Sequence, residues 1–432
     1  MEQKNSIFGN SMWMISERLL QAAVSIVVSA ITRRYLGVDN NGLLAFGSAC
    51  VSVFLTLSGL GLEFVLIKEL IEKPEDEGKI LGTSMVMRFA ASLFSILAIQ
   101  IVVFTVKDHS PFYMLIALLQ SLELIFKLYE FLDYRFQAQL KYKNVAIAKG
   151  ITYVIVAFWK FYIVLSAKSV EWFALSAVVD AAVACAILFI MYFRSGGRRF
   201  SFSFSVGKYL LRQGRPFVVA SLITVLYNTM DKLMLGSICG DGETGIYDAA
   251  YFISFIWVFI PNAIMNSYRP VIIEGHARNI NYKERMRTLY SILIWLGILV
   301  GIGTLAAGRF AILTIGGGSA FLGAVPSLNL LIWSTLFSHL AVARTTWLLC
   351  EGLQKYSGRF ALFGVIINFI LNALMIPRYG ATGASFSTLI TQITVTVAVP
   401  LLYRQTRPSV IDMFAALNPA ELINRLKLIR RR

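Results

Sequence analysis

Residues 80–106 read ILGTSMVMRFAASLFSILAIQIVVFTV, 27 residues in which Arg88 is the one charge. A helix of that length and apolarity crosses the hydrocarbon core of a bilayer, which takes about 20 residues. Working outward from it, eleven more stretches of the same kind follow. The twelve expected spans cover roughly 11–36, 42–67, 80–106, 112–134, 145–166, 169–193, 214–238, 245–268, 288–307, 325–350, 357–376 and 380–403. In lipid each span must satisfy its own backbone hydrogen bonds, so the spans are read as helices, and the alternation of a membrane β-barrel is missing. The loops between them are too short to hold a folded domain outside the membrane. The expected fold is therefore an all-α polytopic membrane protein.

Composition agrees. The chain has 432 residues, 57% of them hydrophobic and 15% charged, with a mean hydropathy of +0.68; soluble domains carry about 25% charge. Residues 1–10 are polar and the first apolar stretch runs into Arg33-Arg34, so no cleavable signal is expected there. Cys50, Cys185, Cys239 and Cys350 lie far apart without a Cys-x-x-Cys pair and read as small apolar residues. The net charge of +16 could fit nucleic acid, but its placement does not. Of the 40 Lys and Arg, 27 fall in the N-terminus, every second loop and the tail, while the alternate loops hold Lys107, Lys168, Arg309 and Arg378, with Arg33 and Arg34 at the end of span 1. The positive-inside rule then puts both termini in the cytoplasm, as an even number of spans requires. The basic surface faces anionic lipid heads, and no nucleic-acid partner is expected.

The longest expected cytoplasmic break, around 194–213, begins Arg-Ser-Gly-Gly-Arg-Arg and continues with alternating Phe and Ser. It divides the chain into an N-terminal lobe (1–196, spans 1–6), a linker (197–213), a C-terminal lobe (214–405, spans 7–12) and a basic amphipathic tail (406–432). The halves look related. Gly37 to Gly42 after span 1 and Gly240 to Gly245 after span 7 each place two glycines five apart around acidic residues, 203 residues from one another. Six helices per half keep the orientation, which makes a parallel repeat about an axis along the membrane normal, with a central cavity between two lobes. In the tail, Asn418, Pro419 and Glu421 cap an expected interfacial helix over 418–429, with Leu422, Leu426 and Ile429 on one face.

Ionisable groups inside spans are costly and face a cavity or a partner. Span 4 carries Gln120, Glu123, Lys127, Glu130 and Tyr134 at steps of 3, 4, 3 and 4, and span 5 carries Lys149, Tyr153 and Lys160. The interior cations are Arg18, Arg88, Lys127, Lys149, Lys160, Lys232 and Arg344; the acids are Glu17, Glu63, Glu123, Glu130, Asp180, Asp231 and Asp248. Glu123 and Lys127 are spaced to pair at i,i+4. Cations left over from pairing suit an anion, and a guanidinium grips two phosphate oxygens at once. Arg18, Arg88, Lys127, Lys149, Lys160 and Arg344 are the candidate substrate contacts, though Arg88, near the end of span 3, could also snorkel. Asp180, Asp231, Asp248 and Glu123 are the candidates for coupling to an ion, because a buried carboxylate takes up a proton readily. His339 reads as a packed histidine, and Gly297, Gly301 and Gly303 as a close-packing face. The phosphate-loop motif, the His-Glu-x-x-His zinc helix and an Asp-x-Asp pair are all missing, so the chain is read as a non-enzyme without a cofactor or metal.

Several stretches resemble a known family. They are Arg34-Tyr35-Leu36-Gly37 to Gly42; Ser58-Gly59-Leu60-Gly61-Leu62 to Lys68-Glu69; Met230-Asp231-Lys232-Leu233 to Tyr251; and, most specifically, Asn372 to Ser385, with Ile376-Pro377-Arg378-Tyr379-Gly380 at its centre. In order and spacing, over roughly residues 5–405, they are similar to the bacterial O-antigen and polysaccharide flippases (Wzx type) of the multidrug/oligosaccharidyl-lipid/polysaccharide exporter superfamily. The resemblance implies a flippase for an undecaprenyl-diphosphate-linked oligosaccharide in the bacterial inner membrane. It would work by ion-coupled alternating access, with protons or sodium as the coupling ion and polysaccharide polymerase machinery as a possible partner. The matching motifs are turns and packing sites, so they carry over no substrate contact. The alternatives are a multidrug exporter of the same superfamily, which should carry fewer interior cations, and a polysaccharide polymerase or ligase. A polymerase or ligase should have a large outer loop with arginines and histidine, whereas the longest outer loop, near 308–324, has Arg309 and no histidine.

The topology is checked by reporter fusions: a reporter placed after residue 241 is expected outside the inner membrane and one after residue 200 inside, and the reverse pattern contradicts the orientation.

Overall fold

The computed structural model describes residues 2–278 and 280–418. They are helical almost throughout, with no strand among the described residues. Ten apolar helical stretches are long enough to cross a membrane. Two of them are double. Ser16–Glu72 has 57 residues and Lys355–Leu402 has 48; at about 1.5 Å per residue each is long enough to cross a ~30 Å core twice. The first is broken at Gly37 (φ 73°, ψ −175°) and the second at Gly380 (φ 51°, ψ −132°). The twelve expected spans are thereby accounted for.

The turn after span 7 confirms the relation between the halves at the level of the backbone. Gly240 has φ 88° and ψ −169°, almost the conformation of Gly37. A Cβ at either position would meet open space. Glycine is needed there for its positive φ, not for room.

The chain forms two compact units, Met1–Thr229 and Met230–Arg432. In unit 1 the core gathers Leu62, Leu66, Leu81, Phe131, Leu132, Phe136, Val145 and Tyr192. The outward positions of the spans are apolar, with Phe94 74% and Phe158 70% exposed. Lipid covers such surfaces and leaves the interior for polar groups. The linker is part of this unit. Ser201 donates its N–H to the Gly78 carbonyl (3.1 Å), Ser203 donates to Thr83 Oγ1 (3.0 Å), Tyr192 Oη donates to the Arg198 carbonyl (2.7 Å), and the Tyr192 and Phe200 rings stack at 5.0 Å. Gly78 and Gly82, one turn apart at the start of span 3, make the groove: a Cβ on either would collide with the backbone at Arg199 or Ser201. The compact units accordingly part inside span 7, Phe204–Ile238, and not in the loop before it.

Unit 2 packs around Met286, Leu289, Tyr290, Leu293, Leu336, Trp347 and Phe360. Gly297 and Gly301 of span 9 receive Leu336 and Trp333 of span 10, as a close-packing face requires, while Gly303 faces open space. Two π turns, Ile312–Gly316 and Thr394–Ala398, interrupt spans 9 and 12. A helix over Arg407–Ala415 docks on span 9, where Asp412 accepts from Arg287 Nε at 2.7 Å. The helix expected beyond Asn418 lies outside the described residues.

Gly82→Val is expected to lower stability by about 1–3 kcal/mol, the usual range for an overpacked contact, whereas Gly303→Ala is expected to be neutral or slightly stabilising. Unfolding midpoints of the purified variants check this, and equal midpoints contradict it.

Candidate functional site

Span 4 supplies most of the interior charge, and it is not one continuous helix. It runs Pro111–Ser121, Glu123–Phe126, a 3-10 turn Lys127–Tyr129, then Glu130–Ala138. Glu123 and Lys127 are not paired as their spacing predicted; the 3-10 turn that starts at Lys127 brings residues three apart into line. Lys127 Nζ lies 3.8 Å from Glu130 Oε1 instead. Glu130 Oε2 accepts from Arg88 Nη2 at 2.9 Å, and the Arg88 guanidinium sits over the Phe131 ring at 5.1 Å. Arg88 is 2% exposed, so it does not snorkel. One turn further, Asp133 accepts from Lys149 Nζ of span 5 and from Gln137, both at 2.9 Å. Glu77 and Arg135, which the sequence reading passed over, pair at 3.3 Å, with Arg135 also donating to Ser195 at 2.8 Å.

Span 1 contributes Glu17, which is 4% exposed. It accepts from Tyr153 Oη at 2.5 Å and from Tyr142 Oη at 3.5 Å, both on span 5. Arg18 beside it has a 75% exposed side chain, 3.8 Å from the Glu17 carboxylate.

Three of the candidate site residues in unit 1 are uncommitted, as is the interior acid Glu63 of span 2. Among the described residues, Lys160, Glu123 and Asp180 make no ion pair and no side-chain hydrogen bond. They come from spans 5, 4 and 6, and the fold gathers them: Asp180 feels the charges of Lys127, Lys160 and Lys149, and Glu123 those of Lys127 and Asp180. Lys160 borders a small void with Val28, Thr32 and Phe161.

Unit 2 is organised around Asp231, which is 4% exposed. Its carboxylate accepts from Tyr247 Oη of span 8 (2.5 Å), Asn372 Nδ2 of span 11 (2.6 Å) and Thr388 Oγ1 of span 12 (2.6 Å). Asn372 Nδ2 also donates to Asn368 Oδ1 at 3.1 Å, and Asn372 Oδ1 is buried without a partner among the described residues. Next to it Lys232 pairs with Asp248 at 2.6 Å. Arg344 is committed to the backbone. It is 2% exposed and donates to the carbonyls of Thr396 (2.6 Å) and Val395 (3.1 Å). Those carbonyls belong to the π turn of span 12, so Arg344 satisfies backbone groups that the turn leaves open. His339 packs, with Nδ1 2.6 Å from the Thr335 carbonyl and its ring against Trp257. Thr388 and Tyr247 were not foreseen as partners of Asp231; the four-residue spacing of Asn368 and Asn372 was the one visible sign of that face.

With this geometry in place, the comparisons can be read. A family model described as polysaccharide biosynthesis protein matches residues 7–276, and one described as MatE matches residues 216–374. A curated relative, an uncharacterized membrane protein of Methanocaldococcus jannaschii, is 27% identical over 188 residues, and the match spans 43% of its length and 43% of this chain. Among solved structures, the lipid II flippase MurJ in an inward closed conformation is similar at a TM-score of 0.73 and 13% identity, over 94% of this chain and 90% of that one. An inward-facing multidrug resistance MATE family transporter of the MOP superfamily gives 0.66 and 14%, over 92% and 95%. A MOP superfamily transporter from Pyrococcus furiosus gives 0.60 and 13%, over 96% and 97%. The fold is thus the two-lobe membrane fold of that superfamily.

The Lys149–Asp133 pair gives a direct test of the interior. Lys149→Met leaves Asp133 buried without its cation and is expected to cost about 3–5 kcal/mol, whereas Lys149→Met with Asp133→Leu costs less. A double-mutant cycle on unfolding free energies measures it, and additive losses contradict the pairing.

Proposed function

The chain belongs to the polysaccharide biosynthesis protein family, and from that premise we propose that it is a flippase for an undecaprenyl-diphosphate-linked oligosaccharide, an O-antigen or related repeat unit, in the bacterial inner membrane. The observation that carries this reading is the charged interior of unit 1. Spans 2 to 6 are apolar toward lipid and hold Arg88, Lys127, Lys149, Lys160, Glu123, Glu130, Asp133 and Asp180 on the inside. An interior of that kind suits a headgroup of diphosphate and sugars whose prenyl tail stays in the hydrocarbon. The named structural relative that flips lipid II lends the substrate class.

Arg18, Arg88, Lys127, Lys149, Lys160 and Arg344 are the proposed cations, and the geometry ranks them. Lys160 and Arg18 come first, because the first is uncommitted and the second exposed. Lys127 and Lys149 are partly exposed and could exchange a carboxylate partner for phosphate. Arg88 and Arg344 rank last, being buried on their own partners.

Coupling is proposed at Asp231, with Asp248, Asp180 and Glu123 as further candidates. The groups around Asp231 are oxygen-rich: the Tyr247 and Thr388 hydroxyls, the Asn368 amide oxygen and the unpartnered Asn372 Oδ1. Such a set suits a proton or a hard cation such as sodium. Occupancy there would change how spans 7, 8, 11 and 12 are tied together.

In vesicles carrying the purified chain, a fluorescent undecaprenyl-diphosphate oligosaccharide is expected to become accessible to a membrane-impermeant quencher in a protein-dependent way. Lys160→Gln is expected to slow the exchange about tenfold, a loss of roughly 1.4 kcal/mol. Asp231→Asn is expected to remove the acceleration by an imposed proton or sodium gradient. Exchange no faster than in protein-free vesicles contradicts the reading.

A further inference from the structure

Span 2 does not continue straight into Glu63–Glu72. At Leu60 (φ 56°) and Gly61 (φ 64°) the chain enters the left-handed region twice in succession. Gly61 also meets the backbone of span 7 at Gly214, so close that a Cβ would collide with it. The break opens a cleft of about 250 Å³ inside unit 1, and its lining is mixed. Its polar lining holds two carboxylates, Glu63 and Glu130, Tyr134, and Arg88, which pairs with Glu130. Two aromatic rings, Phe64 and Phe217, line it as well, 5.7 Å apart and tilted by 44°.

The commitments of these groups narrow the ligand. Glu130 is compensated by Arg88 and Lys127. Among the described residues Glu63 has no ion pair and no side-chain hydrogen bond, and neither does the Tyr134 hydroxyl have a hydrogen bond. Arg88, the cation in the lining, is committed to Glu130, so an anion would meet the uncompensated Glu63. An acyl chain would cover the Glu63 carboxylate and a phenol without satisfying either, which burial penalises. A group with hydroxyls on its rim and C–H bonds on its face satisfies both sides at once. Carboxylates accept from the hydroxyls, and the electron-rich aromatic faces take the weakly positive C–H groups. The volume falls below the roughly 300–1,000 Å³ of a site for a drug-sized molecule, and suits a single sugar ring.

We propose that this cleft is a monosaccharide subsite, in which Glu63, Glu130 and Tyr134 bind ring hydroxyls of the transported glycan while Phe64 and Phe217 stack on the ring. The inference rests on the flippase reading for its source of sugar. It assigns specificity for the glycan to a cleft beside the cations proposed for the diphosphate, where Arg88, itself in the lining, positions Glu130.

Saturation-transfer NMR on the full chain in lipid nanodiscs tests it, with methyl pyranosides of glucose, galactose, mannose, rhamnose and N-acetylglucosamine as probes. At least one glycoside is expected to receive saturation, strongest on its ring C–H protons. Phe217→Ala and the volume-conserving Glu63→Gln should each weaken its binding by about tenfold, with unfolding midpoints near that of the parent chain. Saturation no greater than in empty nanodiscs, or saturation that both variants retain, overturns the subsite. The vesicle assay separates the two readings: leaflet exchange without glycoside binding overturns the subsite alone, whereas glycoside binding with this pattern of variants and no exchange sustains the subsite and overturns the flippase reading.

Discussion

A charge carried into hydrocarbon costs several kcal/mol unless another group compensates it, and the interior of this chain is ordered by that cost. Arg88 is held by Glu130, Lys149 by Asp133, Lys232 by Asp248 and Arg135 by Glu77. Asp231 is held by three neutral donors and Arg344 by two carbonyls. Each of these contacts joins two helices. The same groups therefore set the register of the bundle and define its polar interior. A second consequence concerns function: once most charges are committed, the few that are not become the conspicuous ones.

The two units use this constraint differently. In unit 1 the interior charges form a series across spans 2 to 6, with Glu63, Lys160, Glu123 and Asp180 left without a direct partner among the described residues. Unit 2 concentrates its polarity on Asp231, one carboxylate tied to three other spans. On the function proposed above, the extended set would meet the polar headgroup and the tied carboxylate would answer to the coupling ion, since one proton or cation changes all three of its hydrogen bonds together.

Much of this was legible in the sequence where the signal is local. The spans follow from hydropathy, the internal repeat from Gly37 and Gly240, and the charged face of span 4 from spacing. The failures have a common cause in departures from regular helix. A 3-10 turn at Lys127–Tyr129 moves Lys127 from Glu123 to Glu130. The π turn at Thr394–Ala398, whose carbonyls Arg344 reaches, left no mark in the sequence pattern. Two left-handed residues at Leu60 and Gly61 open the cleft beside Glu63. Partners distant in the chain were equally hidden: Thr388 stands 157 residues from Asp231, and no periodicity links them. The linker read as a loop because Gly78 and Gly82, which receive it, lie in another element.

The central claim is that the uncommitted charges of unit 1 face water within the membrane. Cysteine accessibility measures this most directly. With Cys50, Cys185, Cys239 and Cys350 replaced by serine, Glu123→Cys, Lys160→Cys and Asp180→Cys are each reacted with a charged, membrane-impermeant thiol reagent in sealed and in opened vesicles, beside Phe94→Cys on the lipid-facing side. The account predicts labelling at all three interior positions and none at the lipid-facing one. Interior positions as unreactive as the lipid-facing control would contradict it.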